Sequence, residues 1–106
     1  MGEARVVRLR FTPRARAELS DVLTHVGERS PQAAHRVQAR VQTTIALLAE
    51  HPRTGRLTSN SRLRRILAAP YPYLIYDEAL ADEIVIIGVR HGARRPESMP
   101  DAGKLP

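Results

Sequence analysis

At the start of the chain, hydrophobic and polar positions alternate one for one. Val7, Leu9 and Phe11 fall on one side, Arg8 and Arg10 on the other. Period two marks a half-buried strand, here Val6 to Phe11. Thr12-Pro13 follows. The threonine hydroxyl can accept from a free amide of a helix's first turn, and proline suits the first helical position, where a missing N–H costs nothing. Ala15, Leu19, Val22 and Val26 then recur every three or four residues, which predicts an amphipathic helix with Gly27 as its stop. Ser30-Pro31 repeats the start signal. Ala34, Val37, Val41, Ile45 and Leu48 form the stripe of a second, longer helix that Pro52 ends. So short a link implies an antiparallel helical hairpin.

The pattern then becomes polar from His51 to Ser61, with Pro52, Gly55, Ser59, Asn60 and Ser61, which predicts a loop. Three β-type runs follow: Arg62 to Leu67, Tyr73 to Tyr76 after the Pro70-Tyr71-Pro72 turn, and Glu83 to Val89. Asp77 to Asp82 is the expected hairpin turn between the last two. Ile84-Val85-Ile86-Ile87 is apolar without alternation, so this strand should be central and covered on both faces. The order is β-α-α-β-β-β. This predicts an α+β fold, a helical hairpin packed on one face of a small antiparallel sheet. Residues 1–97 form one domain, and 98–106, with Pro100, Gly103 and Pro106, read as a flexible C-terminal tail.

Composition narrows the function classes. The chain has 106 residues, which suits one domain, and 42% are hydrophobic but only 4% aromatic, so aliphatic side chains must build the core. No cysteine is present, which excludes disulfides and thiolate zinc sites. His25, His35, His51 and His91 show no ligand spacing, so neither a metal nor a cofactor is expected. No apolar run is long enough to span a bilayer and no signal-peptide core is visible, so the expectation is a cytoplasmic protein without a membrane partner. The net charge is +6, and 16 of 17 basic residues are arginine, Lys104 being the exception. Half of that arginine bias is explicable as genome composition. The net charge is not, and it points to an anionic partner, nucleic acid or an acidic protein.

Enzyme signatures are scarce. There is no glycine-rich phosphate loop and no nucleophile elbow. Ser20 and Asp21 read as helix-surface residues. The carboxylate pairs Asp77-Glu78 and Asp82-Glu83 flank the expected turn and read as a solvated hairpin. Two basic clusters remain: Arg62, Arg64 and Arg65 at the start of one strand, and Arg90-His91-Gly92-Ala93-Arg94-Arg95 at the end of the last. Period two puts Arg62 and Arg64 on one face and Arg65 on the other. Tyr71, Tyr73 and Tyr76 are expected mainly in the core, since little else can supply aromatic packing. Ala33, Ala39, Ala46, Leu47 and Ala49 lie outside the second helix's stripe, which fits either a groove for a partner segment or simply the high helix propensity of alanine.

Taken together, these features resemble the RelE/ParE toxins of type II toxin–antitoxin systems. The shared elements are a strand into Phe11-Thr12-Pro13-Arg14-Ala15 with Leu19 beyond it, then Pro52, Arg53 and Gly55. Arg62-Leu63-Arg64, Pro72-Tyr73-Leu74-Ile75-Tyr76, and Ile84 to Val89 running into His91-Gly92-Ala93-Arg94-Arg95 complete the set. The resemblance covers roughly residues 5 to 97. It implies a cytoplasmic toxin in a hetero-oligomer with a ParD-like antitoxin, and contact with operator DNA only indirectly, through that antitoxin. Leu19, Val22, Val37, Val41 and Tyr73 are the positions expected to meet it.

The family divides by target. RelE-like members cut mRNA on the ribosome; ParE-like members inhibit DNA gyrase without catalysis. RelE-like nucleases tend to carry arginine where this chain has Tyr73 and, by alignment, Gly92, and often a Tyr or His beyond His91, where this chain has neither. RNA cleavage needs an acid, a base and cations for the phosphate. Here His91 would have to serve, with Arg62, Arg64, Arg90 and Arg94 as cations. The His-Gly-x-Arg-Arg ending is similar to ParE-like members. The expectation is a gyrase inhibitor that meets its target through Arg62, Arg64, Arg90, His91, Arg94 and Arg95, with the RelE-type endoribonuclease as the alternative.

Overall fold

Two proline-led helices and five strands make up residues 7–92, which are the residues that the computed structural model describes. Strand β1 is Arg8–Phe11, followed by helices α1 (Pro13–Arg29) and α2 (Pro31–Glu50). The strands β2 (Arg56–Leu57), β3 (Arg64–Leu67), β4 (Tyr73–Ala79) and β5 (Glu83–His91) complete the order. Both start signals work as their chemistry requires. The Thr12 hydroxyl accepts from the Ala15 amide at 3.0 Å, and the Ser30 hydroxyl from the Ala33 amide at 3.1 Å. Ser30 alone links the helices, since its own amide also donates to the Val26 carbonyl at 3.0 Å. Its extended backbone, rather than Gly27, stops α1, so the helix runs two residues beyond the expected stop.

The sheet order is β1-β5-β4-β3-β2. Strands β2 to β5 pair antiparallel, as expected, but β1 pairs parallel with β5, with Arg8 opposite Glu83 and Phe11 opposite Ile86. The sheet is therefore mixed. Alternation along β1 fixes which side chains face inward but says nothing of the neighbour or its direction. The chain between them, two helices and three strands, supplies the reach that a parallel pair needs. Three boundaries also move. The 51–61 loop contains the short strand β2, β3 starts at Arg64, and β4 runs on to Ala79, which leaves 80–82 as the turn.

Ala15, Val37, Val41, Ile45 and Leu48 from the helices close on Tyr73 and Ile75 of β4 and Ile84, Ile86 and Val89 of β5. β5 is an interior strand, as its unbroken apolar run predicts, but it lies second in the order, with β4 in the middle. Its inward residues are not evenly spaced, because the β4–β5 register slips: Tyr76 faces Gly88, while Asp77 faces Ile86. Ile87 is the extra residue of a bulge, and this lets Ile86 and Val89, three apart, both reach the core. Tyr73 and Tyr76 are buried, and Tyr71 packs on the core's margin.

Asp77 corrects the solvated-turn reading. It sits inside β4, opposite Arg64 on β3, and is 0% exposed. Neither carboxylate oxygen has a hydrogen-bond partner among the described residues. Arg64 donates instead to the Gly55 carbonyl at 2.9 Å. Burial pushes the Asp77 carboxyl up to about 6, and the charge of Arg64 offsets only part of that. Because the folded state holds this proton more tightly than the unfolded chain, the stabilisation is full below about pH 4 and is lost as pH rises through about 6. A rise of about 2 units corresponds to roughly 3 kcal/mol as an upper figure. Asp77→Asn should therefore raise the denaturation midpoint at pH 7.5 and flatten its fall between pH 4 and 7. Equilibrium unfolding at pH 5 and 7.5 measures this, and a destabilised variant at pH 7.5 would instead show that the ionised carboxylate is bound.

Candidate functional site

β1 ends at Phe11, so β5 loses its neighbour halfway along. Thr12 takes over first: its amide donates to the Ile86 carbonyl at 3.0 Å, and its hydroxyl donates to the Ile87 carbonyl at 3.5 Å. Beyond that point, Glu18 of α1 completes the edge. One of its oxygens accepts from the Val89 amide at 2.9 Å. The other accepts from Nε of Arg90 at 2.8 Å and from Nε of Arg14, one turn back, at 3.2 Å. A second Arg90 nitrogen lies 2.8 Å from the same oxygen. Arg90 is only 7% exposed, so its charge is satisfied inside the protein.

Glu18 and Arg90 form the floor of an open cleft of about 660 Å³ between α1 and the ends of β4 and β5. Asp21, Val22 and His25 line it from the helix, Tyr73 and His91 from the sheet. Tyr73 and His91 stand directly opposite in register, with their rings 5.4 Å apart and edge to face. The cleft thus unites Val22 and Tyr73 with Arg90 and His91. It also adds Glu18, Asp21 and His25, whose part the sequence reading missed. Their signal was present, since 18, 21 and 25 share one side of a helix.

Arg62 and Arg64 are elsewhere. Arg64 faces Asp77, whereas His91 faces Tyr73, four residues away along β4, or about 13 Å. The two basic clusters therefore occupy opposite ends of the sheet. Arg64 is half-buried and holds the Gly55 and Arg53 carbonyls, at 2.9 and 3.5 Å. Arg62 is exposed and pairs with Glu78 at 3.3 Å. With Arg53 they line a second cleft of about 610 Å³. Arg94 and Arg95 lie outside the described residues.

The helical hairpin carries a third, apolar groove of about 350 Å³, lined by Leu9, Phe11, Leu19, Val41, Ile45 and Ala46. Leu19 and Val41 thus lie together, on the other flank of α1 from Val22 and Tyr73. Val37 is core, 3% exposed. Among the described residues there is no cluster that could hold a metal ion, and no helix is long and apolar enough to cross a membrane.

Comparison with known proteins agrees with this architecture. Residues 9–96 match the family described as ParE toxin of the type II toxin–antitoxin system parDE. The chain therefore belongs to the ParE toxin family, within the RelE/ParE superfamily, and is a toxin of the type II class. It is 36% identical over 85 residues to toxin RelE2 of Caulobacter vibrioides, covering 79% of this chain and 93% of that protein. Y4kP of Sinorhizobium fredii is 33% identical over 84 residues, 79% of this chain and 86% of that one. A solved chain of the chromosomal ParDE system from P. aeruginosa shares the fold with a TM-score of 0.71 at 19% identity, over 81% of this chain and 96% of that chain. The relatives carry both RelE and ParE names, so naming does not separate the two branches.

The Glu18–Arg90 pair should behave as a structural clamp. Arg90→Ala leaves the half-buried Glu18 carboxylate short of its main cation and should cost roughly 2 kcal/mol, below the range for a fully buried pair. Arg90→Lys should recover only part of that, because one ammonium cannot offer the two nitrogens Arg90 presents. A double-mutant cycle with Glu18→Gln, read by urea unfolding, should give a coupling of at least ~1 kcal/mol. Additive losses would mean that the two side chains act independently.

Proposed function

We propose that this chain is a ParE-like toxin that inhibits DNA gyrase by binding it and is neutralised by a cognate ParD-like antitoxin. The single observation that carries the non-catalytic reading is the separation of the cations an RNase would need. Arg64 and His91 lie at opposite ends of the sheet, and Arg90 is spent on Glu18. A nuclease must gather acid, base and cations around one phosphate. Binding makes no such demand, and exposed Arg62 and half-buried His91 can each meet a large protein target.

The apolar groove along the hairpin suits the antitoxin. Six of its eight lining residues are apolar, the others being Arg16 and Gln42, and Leu9 is 41% exposed. An apolar face of a partner segment laid there would bury what the free chain leaves in water. Leu9→Asp should weaken antitoxin binding at least tenfold in calorimetry while leaving the melting temperature within a few degrees, since the side chain is already half in solvent. Unchanged affinity would remove the groove from the antitoxin interface.

A second reading rests on the α1–β5 cleft. It brings His25, His91, Asp21 and Tyr73 to one opening beside Arg90, so His91 has titratable neighbours for mRNA cleavage. The two readings separate in one pair of assays. At micromolar concentration the toxin should abolish supercoiling by its host's gyrase, addition of antitoxin should restore it, and a translating extract should show no new mRNA ends. Intact supercoiling together with mRNA cleavage that His91→Ala abolishes would establish the nuclease instead.

A further inference from the structure

From His51 to Tyr76 the sequence carries five arginines and no carboxylate. Most arginines of the sheet's β1 and β5 side are neutralised: Arg8 by Asp82, Arg10 by Glu83, Arg90 by Glu18. At the other edge the arrangement reverses. Arg56 of β2 stands directly opposite Arg65 of β3. Both are exposed, and among the described residues neither takes part in an ion pair. Like charges directly opposite on paired strands repel and weaken a hairpin. β2 is only two residues long, and it is held despite that repulsion by the hydrogen bonds that flank it, Arg64 to the Gly55 carbonyl and the Thr58 amide to the Leu63 carbonyl. Gly55 brings it close: a Cβ there would lie 3.1 Å from Cβ of Arg64 and 3.2 Å from the Arg65 carbonyl. The fold thus sets two arginines that take part in no ion pair among the described residues opposite each other at an edge.

Ile66 of β3 packs on the core, so Arg65, one residue away, points to the sheet's other face, and Arg56 with it. This pair is distinct from the cleft of Arg53, Arg62 and Arg64 and from every site argued above. Guanidinium pairs of this kind are matched by phosphate. The type of nucleic acid follows from what is missing beside them. Phe11 and Tyr71 are half-buried, and Tyr73 and Tyr76 are buried, so no Phe or Tyr ring is exposed to stack an unpaired base. Single strands draw much of their affinity from such stacking, whereas a duplex presents phosphates and hides its bases.

We infer that Arg56 and Arg65 form a phosphate-contacting edge through which this toxin binds double-stranded DNA directly, without sequence preference and without the antitoxin. The inference holds whichever target is poisoned, and the test contains no gyrase or ribosome, so the two proposals fail separately. The full chain is titrated against a labelled duplex of mixed sequence and against single-stranded RNA of equal length, by anisotropy at several salt concentrations. Arg56→Gln/Arg65→Gln is compared with Arg8→Gln/Arg10→Gln, which removes the same charge from the opposite edge. The first variant should bind duplex about tenfold more weakly, with a salt slope lower by about 2, as expected for the loss of two phosphate contacts. The second should stay within about twofold of the parent. Saturating duplex should also raise the melting temperature of the parent more than that of the first variant. Equal losses in both variants would overturn the inference, because bulk charge would then explain the binding. So would tighter binding to RNA than to duplex, or displacement of duplex by polyglutamate at equal charge, which would assign the edge to an acidic protein.

Discussion

One carboxylate decides how the two layers of this toxin meet. Strand β5 is an interior strand of the sheet, yet β1 covers only its first half. A buried strand edge with bare amides costs as much as a lost hydrogen bond at each. Glu18 removes that cost by taking the Val89 amide, and its second oxygen then fixes Arg90. A helix side chain thereby does the work of a strand. Breaking one partner of such a pair is far more costly than the pair's net worth, because it leaves a charge buried alone. The cleft between α1 and the sheet owes its floor to this contact.

A second constraint runs across the β4–β5 hairpin. The bulge at Ile87 brings both Ile86 and Val89 inward, and it places Asp77 opposite Ile86 in a buried row. The aliphatic gain comes with a carboxylate that has no hydrogen-bond partner among the described residues, and whose facing arginine holds the loop after α2 instead. Arg64 therefore serves the 53–55 turn at the expense of Asp77. That choice keeps β2 attached to the edge and sets where the remaining arginines point.

Charge in this protein is best understood by partner rather than by sum. A net +6 suggests a uniformly basic surface. The fold instead divides the arginines into paired and unpaired sets. Those on the β1 and β5 side meet carboxylates brought from distant parts of the chain. Of those between Glu50 and Asp77, Arg62 pairs with Glu78 and Arg64 faces Asp77, whereas Arg56 and Arg65 take part in no ion pair among the described residues.

Local signals were legible in the sequence because their chemistry is local. Thr12-Pro13 and Ser30-Pro31 start helices within three residues of themselves, the hairpin follows from a link of one residue, and the apolar run of β5 already implied its interior place. These, with the motif order from Phe11 to His91, sufficed for the α+β class and for the toxin family. What sequence did not contain was pairing across distance. Alternation in β1 is the same whether its neighbour is parallel or antiparallel. Asp77 beside Glu78 looks like a turn until the register buries it, and Arg90 looks free until Glu18, 72 residues away, is seen to hold it. The separation of Arg64 from His91 is likewise a property of strand direction alone. Period and capping are written residue by residue; register, burial and charge partnership exist only once the chain has closed on itself.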